Sequence, residues 1–228
     1  MDTLILKKKN EVYITVDCDP NIQQEISEFF TFYVPGYKFM PAFRNRMWDG
    51  KIRLYSQKTK EIYFGLFPYI RAFAEERGYN IVSEEGVEVN NKVDKDVVKK
   101  FSNSLGQKFE ARDYQIDAIY HSLKFNRSLL LSPTASGKSF IIYSLIRYYT
   151  HLIKDAPNNR ILLIVPTTSL VEQMYSDFES YGWNVKKNCH RLYSGYSNQT
   201  DKKVLISTWQ SLYKLPKVYF RTVWLCLW

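Results

Sequence analysis

The chain has 228 residues, 45% of them apolar, and a formal charge of +9, which allows one large domain or two small ones with true cores. Cys18, Cys189 and Cys226 are odd in number and scattered, with no C-x-x-C pair, so neither a disulfide framework nor a zinc site is expected and a reducing cytoplasm is. The longest apolar runs, such as Ile161 to Val165, are strand-sized, which leaves no signal peptide and no membrane span.

The first domain is expected over residues 1–83. Val12, Ile14 and Val16 alternate with polar residues and predict a half-buried strand, after which Asp19-Pro20 caps and starts a helix. Ile22, Ile26, Phe29 and Phe30 then recur at helical spacing, and Pro35-Gly36 makes a turn. Strands follow at Ile52 to Tyr55 and Ile62 to Gly65. A second helix over Pro68 to Arg77 is closed by Gly78, and Tyr79 to Val82 is a last strand. The sum is a small α+β domain.

Residues 38–60 carry seven basic side chains, Lys38, Arg44, Arg46, Lys51, Arg53, Lys58 and Lys60, against the single acid Asp49. Tyr37, Phe39, Phe43, Trp48 and Tyr55 are interleaved with them. Cations for phosphates beside flat rings suit a nucleic-acid surface. The aromatic set is read as core, since a domain this small needs large residues inside. The Arg/Lys set is read as the nucleic-acid surface. Arg44, Arg46, Lys51 and Arg53, with Trp48 among them, are the candidate contacts.

Residues 84–109 turn polar and read as a linker with one short helix near Asp94 to Phe101. The second domain is expected over residues 110–228, and most of the charge lies there. Residues 1–110 hold 17 Lys/Arg against 16 Asp/Glu, whereas residues 111–228 hold 15 against 7. A basic surface of this kind suits a polyanion that releases counterions on binding.

Leu129 to Leu131 reads as an apolar strand that runs into Ser132-Pro-Thr-Ala-Ser-Gly-Lys-Ser139 and then into a helix. The pattern is G-x-x-x-x-G-K-[ST] with Ser132 in place of the first glycine. Such a loop holds phosphates on successive backbone amides and a helix N-terminus; Lys138 would neutralise the β and γ oxygens and the Ser139 hydroxyl would ligate Mg2+. Lys138 and Ser139 are thus the candidate catalytic pair. Gln115 stands 23 residues before Lys138 at a helix start, and its amide can pair with adenine N6 and N7, which selects ATP over GTP. Arg160 to Pro166 predicts a buried parallel strand, Thr167 to Gln173 opens a helix, Lys203 to Ser207 is another strand, and Thr222 to Trp228 is the last. Alternating strands and helices give an α/β parallel sheet, with ligands at the strands' carboxyl ends.

Arg112/Tyr114/Gln115, Ser132 to Ser139, Pro166-Thr-Thr-Ser-Leu-Val-Glu-Gln173 and Ser207-Thr-Trp-Gln210 occur in the order and spacing of the superfamily 2 helicases, where they correspond to the Q motif and motifs I, Ia and Ib. Phe43-Arg44, Trp48-Asp-Gly-Lys51 and Arg53-Leu54 resemble the N-terminal domain of the UvsW-type recombination helicases of T-even bacteriophages. The resemblance implies an incomplete RecA-like first helicase lobe, with Arg112, Tyr114 and Gln115 on adenine. Thr134, Ala135, Ser136, Gly137, Lys138 and Ser139 would hold the phosphates and magnesium. Pro166, Thr167, Thr168, Leu170 and Gln173, with Thr208, Trp209 and Gln210, would line a nucleic-acid strand.

It further implies an ATP-dependent helicase of branched or duplex DNA, or of RNA–DNA hybrids. Such an enzyme would serve phage recombination, repair or replication, as a monomer in the host cytoplasm. Hydrolysis needs a carboxylate pair, a D-E-x-H motif in this family, but the last acid is Asp201. The chain is therefore expected to be an N-terminal piece cut before that motif, either an incomplete reading frame or a frameshifted one, and not competent for hydrolysis alone. The other reading is a non-catalytic module that binds ATP and DNA. A P-loop kinase would need neither Gln115 nor the Pro166 to Gln173 block.

Overall fold

The structure, a computed structural model, describes residues 2–87, 91–156 and 158–227, without the side chain of Trp224. It forms two compact units, Met1–Val89 and Asn90–Trp228.

In the first unit the chain runs β1 (Thr3–Lys8), β2 (Tyr13–Asp17), α1 (Pro20–Phe29), β3 (Thr31–Tyr33), α2 (Pro41–Arg44), β4 (Lys51–Arg53), β5 (Tyr55–Ser56), β6 (Glu61–Tyr63), α3 (Phe67–Arg77) and β7 (Asn80–Ser83). Five strands make a sheet ordered β5-β6-β2-β1-β7, antiparallel except for the parallel β1–β7 pair. Leu4, Leu6, Ile14, Val16 and Ile62 line one face and are fully buried against Ile22 and Ile26 of α1 and Ile70, Phe73 and Ala74 of α3. Each such side chain contributes about 1.5–3 kcal/mol by leaving water. Asp19 caps α1, accepting from the Asn21 amide at 2.9 Å, and Gly78, at φ 70°, closes α3. β3 and β4 pair separately, with Phe32 opposite Ile52.

The second unit runs α4 (Lys95–Asn103), α5 (Asp113–Phe125), α6 (Lys138–Leu152), β8 (Arg160–Val165), α7 (Thr168–Ser180), α8 (Val185–Asn188), β9 (Cys189–Leu192), β10 (Val204–Thr208), α9 (Trp209–Leu212) and β11 (Val223–Leu227). Its sheet is wholly parallel, in the order β11-β8-β10-β9. One core joins α5, α6 and α7 to Ile161, Leu163 and Ile206 on one side of the sheet. A smaller cluster of Leu162, Leu192, Leu205 and Leu212 lies on the other. Burial on both faces is why β8 and β10 read as unbroken apolar runs.

The stretch expected to link the domains contributes to both cores. Val87 is buried in the first, whereas Val98 and Leu105 are buried in the second. One expected strand does not form. Residues 128–131 pair with no strand among the described residues, and Leu129 and Leu131 are 83% and 88% exposed while Leu130 is half-buried. The alternation is that of extended chain. A cavity of about 500 Å3 separates this segment from β11, its floor made by Ile142, Leu145 and Leu163. With α5 and α6 covering one side only, no described residue shields the outer leucines.

Candidate nucleotide site and nucleic-acid interface

The phosphate-type loop occupies residues 132–137 and delivers the chain into α6. Gly137 takes φ 79° as the residue before the helix, and Ala135 is also left-handed at φ 64°. Glycine suits position 137 on two counts. It carries no Cβ penalty at positive φ, and a Cβ there would stand 2.3 Å from the Gln115 amide nitrogen.

Gln115 is 5% exposed, at the third position of α5. Its Oε1 accepts from the Arg112 amide at 3.0 Å, as in one half of a capping box. Its Nε2 donates to the Ser136 carbonyl at 3.1 Å. The Tyr114 hydroxyl donates to the same carbonyl at 3.0 Å, and Arg112 donates to Tyr114 at 3.2 Å. Arg112, Tyr114 and Gln115 thus form a clasp on the loop, with the amide expected to read adenine engaged in holding Ser136. Beside the clasp a cavity of about 680 Å3 opens between α5 and residues 129–136, with Arg112, Tyr114, Ala118 and His121 on its α5 wall.

The amides of Thr134, Ala135, Ser136 and Gly137 donate to no other group among the described residues. Those of Lys138 and Ser139 open a helix and have no intrahelical acceptor. Lys138 folds back onto the loop, its Nζ donating to the carbonyls of Ser132 at 3.0 Å and Pro133 at 2.6 Å. Free amides, a helix N-terminus and an ammonium in one loop match what phosphate oxygens require. Ser132 and Ser136 join their hydroxyls across the loop. The first-position serine therefore does work that a glycine could not.

The Ser139 hydroxyl, the candidate magnesium ligand, bonds to the Tyr181 hydroxyl at 3.0 Å. Burial among Phe109, Phe140 and Tyr143 raises the Tyr181 phenol above its ordinary value and keeps it protonated. Tyr181 ends α7, the helix that starts at Thr168, so one element touches both the loop and the expected nucleic-acid track. No sequence motif marked Tyr181; only its place after an amphipathic helix hinted at a packing role.

At the carboxyl ends of β8 and β10, Val165 is paired with Thr208, which brings the two expected track segments side by side. Pro166, Thr167, Thr168, Gln173, Trp209 and Gln210 are exposed and Leu170 is half-buried. Thr208 is only 4% exposed, its hydroxyl sharing a hydrogen bond with Ser211 at 3.0 Å. The next turn, after β9, is tied to the same helix. Glu172 accepts from Arg191 at 2.6 Å and from the Tyr193 hydroxyl at 2.7 Å. The Arg191 guanidinium lies over the rings of Tyr175 and Tyr196 at 4.3 and 4.7 Å.

In the first unit, Arg44 and Arg46 are exposed and have no ion-pair partner among the described residues. Arg53 pairs with Asp49, and that guanidinium together with the Lys51 amide holds the Asp49 carboxyl below its usual range. Lys51 lies over the Tyr33 ring at 4.9 Å. Trp48 is half-buried, its indole N–H donating to the Lys51 carbonyl at 2.9 Å, so it supports the loop that carries the cations.

Residues 4–84 match the family model described as DNA helicase UvsW, N-terminal. Residues 108–220 match the one described as type III restriction enzyme, res subunit. The chain resembles the N-terminal part of the UvsW helicase along nearly its whole length. Over 217 residues it is 34% identical to the ATP-dependent DNA helicase uvsW of Enterobacteria phage T4, covering 91% of this chain and 42% of that protein. A crystal structure of the UvsW helicase from bacteriophage T4 matches with a TM-score of 0.84 at 29% identity, over 99% of this chain and 81% of that one. A second structure of T4 UvsW matches with a TM-score of 0.84 at 30% identity, over 99% of this chain and 46% of that one. The chain thus spans less than half the length of the curated relative it matches. The second unit is a RecA-like parallel sheet with flanking helices, and the small α+β unit precedes it. No helix among the described residues is long and apolar enough to cross a membrane.

Proposed function

We propose that this chain supplies the ATP-binding lobe and a DNA-binding domain of an ATP-dependent superfamily 2 helicase. Its substrates are branched or duplex DNA, or RNA–DNA hybrids, in phage recombination, repair or replication. The observation that carries the nucleotide half is the loop: four unpaired amides from Thr134 to Gly137, opening α6, with Lys138 beside them. When ATP and Mg2+ are bound, the amides and Lys138 hold the phosphates and Ser139 ligates the metal. Arg112 and Tyr114, on the wall of the neighbouring cavity, face the base. Gln115 positions the loop and reads adenine only if its hydrogen bond to Ser136 is exchanged. The exposed groups from Pro166 to Gln173 and at Trp209 and Gln210 contact a strand's backbone without reading sequence. Arg44, Arg46, Lys51 and Arg53 add phosphate contacts from the first domain. The chain acts as a monomer in the cytoplasm of the infected cell.

Taken by itself, residues 1–228 bind ATP and hydrolyse it negligibly, because no carboxylate follows Asp201 to hold the metal or orient water. The second reading is a module that grips DNA and ATP without coupling them. Salt-titrated binding to a DNA duplex, with and without MgATP, separates the two. In the helicase reading MgATP shifts DNA affinity and Lys138→Ala abolishes the shift. DNA affinity indifferent to both would leave the uncoupled module.

A further inference from the structure

Residues 31–53 form an arm built on the β3–β4 pair, and some of its aromatic rings pack on one another. Tyr33 and Tyr37 stack at 4.8 Å, and Phe43 meets Tyr37 edge-on at 4.8 Å. Gly50, at φ 79°, packs so close that a Cβ would sit 2.2 Å from the Tyr37 ring. Those rings hold the arm together. Phe39 and Met47 do not, being 84% and 75% exposed and belonging to no apolar cluster. The backbone at Met47 is nonetheless fixed: Arg46 is left-handed at φ 57°, and the Met47 and Trp48 amides both donate to the Ala42 carbonyl, at 2.9 and 3.2 Å.

Lys38, Arg44, Arg46 and Met47 line one open hollow of about 580 Å3, and Phe39 follows Lys38 in the chain. Asp49, also on that hollow, is already paired with Arg53. Two exposed apolar side chains, Met47 on the cationic hollow and Phe39 next to Lys38 in the chain, fit a polyanion with exposed flat faces, which describes nucleic acid where its bases have come apart.

We propose that Phe39 and Met47 form a wedge that stacks on the bases where duplex DNA opens, at a fork or branch, while Lys38, Arg44 and Arg46 hold the flanking phosphates. This rests on the reading above that the first domain binds DNA through its cations. Phe and Met are among the side chains that enter base steps. An intact duplex resists the insertion because a step must first be unstacked, whereas at a junction the stack is already interrupted. The wedge therefore selects forked over continuous duplex DNA, and the cations bind both.

The test uses the full chain with a forked DNA and a continuous duplex of matched sequence, each carrying 2-aminopurine at the position of the junction. Phe39→Ala with Met47→Ala should lower fork affinity about tenfold, remove the 2-aminopurine signal, and change duplex affinity less than about twofold. Phe39→Trp should keep the fork preference. Arg44→Ala with Arg46→Ala should weaken both DNAs and reduce the salt slope by about two. Wild-type fork affinity and signal in the folded Phe39/Met47 variant would overturn the wedge, while loss in the Arg44/Arg46 variant would leave the DNA-binding reading intact. Wild-type affinity and salt slope in the Arg44/Arg46 variant would overturn the reading that the first domain binds DNA through these cations. A Phe39/Met47 variant that changes only self-association, seen by sedimentation, would mark the patch as a contact between copies and overturn the wedge.

Discussion

Replacing Gly137 with alanine sets the clasp between α5 and the phosphate loop against itself. The left-handed φ of 79° costs an alanine about 1–2 kcal/mol. The new Cβ would stand 2.3 Å from Gln115 Nε2, so the amide must move and its 3.1 Å bond to the Ser136 carbonyl is lost. That loss is worth about 1 kcal/mol, and an amide left buried without a partner adds about 1–3 kcal/mol. Gly137→Ala should therefore destabilise the second unit by roughly 4 kcal/mol. Gln115→Ala alone should cost about 2 kcal/mol, because it removes the two hydrogen bonds together with the buried amide. In the double variant the clash is gone and only the backbone cost adds to the loss of Gln115, so the total should be near 3.5 kcal/mol rather than about 6, a coupling of about 2.5 kcal/mol. Urea unfolding followed by tryptophan fluorescence measures this, since Trp183, Trp209, Trp224 and Trp228 all lie beyond residue 90 and Trp48 alone does not. Costs that simply add, within about 0.5 kcal/mol, would show that Gln115 does not hold the loop.

Tyr181→Phe frees the Ser139 hydroxyl. It should lower stability by about 1 kcal/mol and tighten magnesium-dependent nucleotide binding about fivefold, as read by a fluorescent ATP analogue. Unchanged or weaker binding in the folded variant would contradict that competition. Cys189 is buried and its thiol is pushed up to about 12, so iodoacetamide at pH 8.5 should leave it intact in the folded chain and modify it in urea, as peptide mapping would show. The folded state keeps a proton that the unfolded thiol gives up near pH 9, so this contribution to stability is complete below that pH and declines as pH rises toward 12. Rapid native labelling would mean that β9 is not packed as described.

Punctuation and strong periodicity were legible before the structure. Asp19-Pro20 and Gly78 bound the helices they predict, Asp94 caps α4, and the apolar runs at 160–165 and 203–207 are buried parallel strands. Strands set by their partners were not legible. β1 hides its Leu4/Leu6 alternation next to three lysines, and β9 has only Cys189 and Leu192 buried. The opposite failure occurs at Leu129 to Leu131, where composition asks for a strand but no partner or cover is in place among the described residues. Within the site, the loop residues and the clasp were named from the sequence, whereas the use of Gln115's amide depends on Ser136 returning to it 21 residues later. Tyr181 reaches Ser139 across 42 residues, which no local pattern encodes. Phe39 shares its composition with Tyr37 and Phe43, and only the packing tells which ring is left outside.

The central claim is that residues 132–139 bind a nucleotide's phosphates with magnesium. Equilibrium titration of the chain with a fluorescent ATP analogue tests it directly, in magnesium and in EDTA, for the parent sequence and for Lys138→Ala. The structure predicts saturable, magnesium-dependent binding that ATP displaces and that Lys138→Ala weakens at least about tenfold, the loss of a charge-assisted contact. Binding that is absent, or equal in the Lys138→Ala variant, would contradict it.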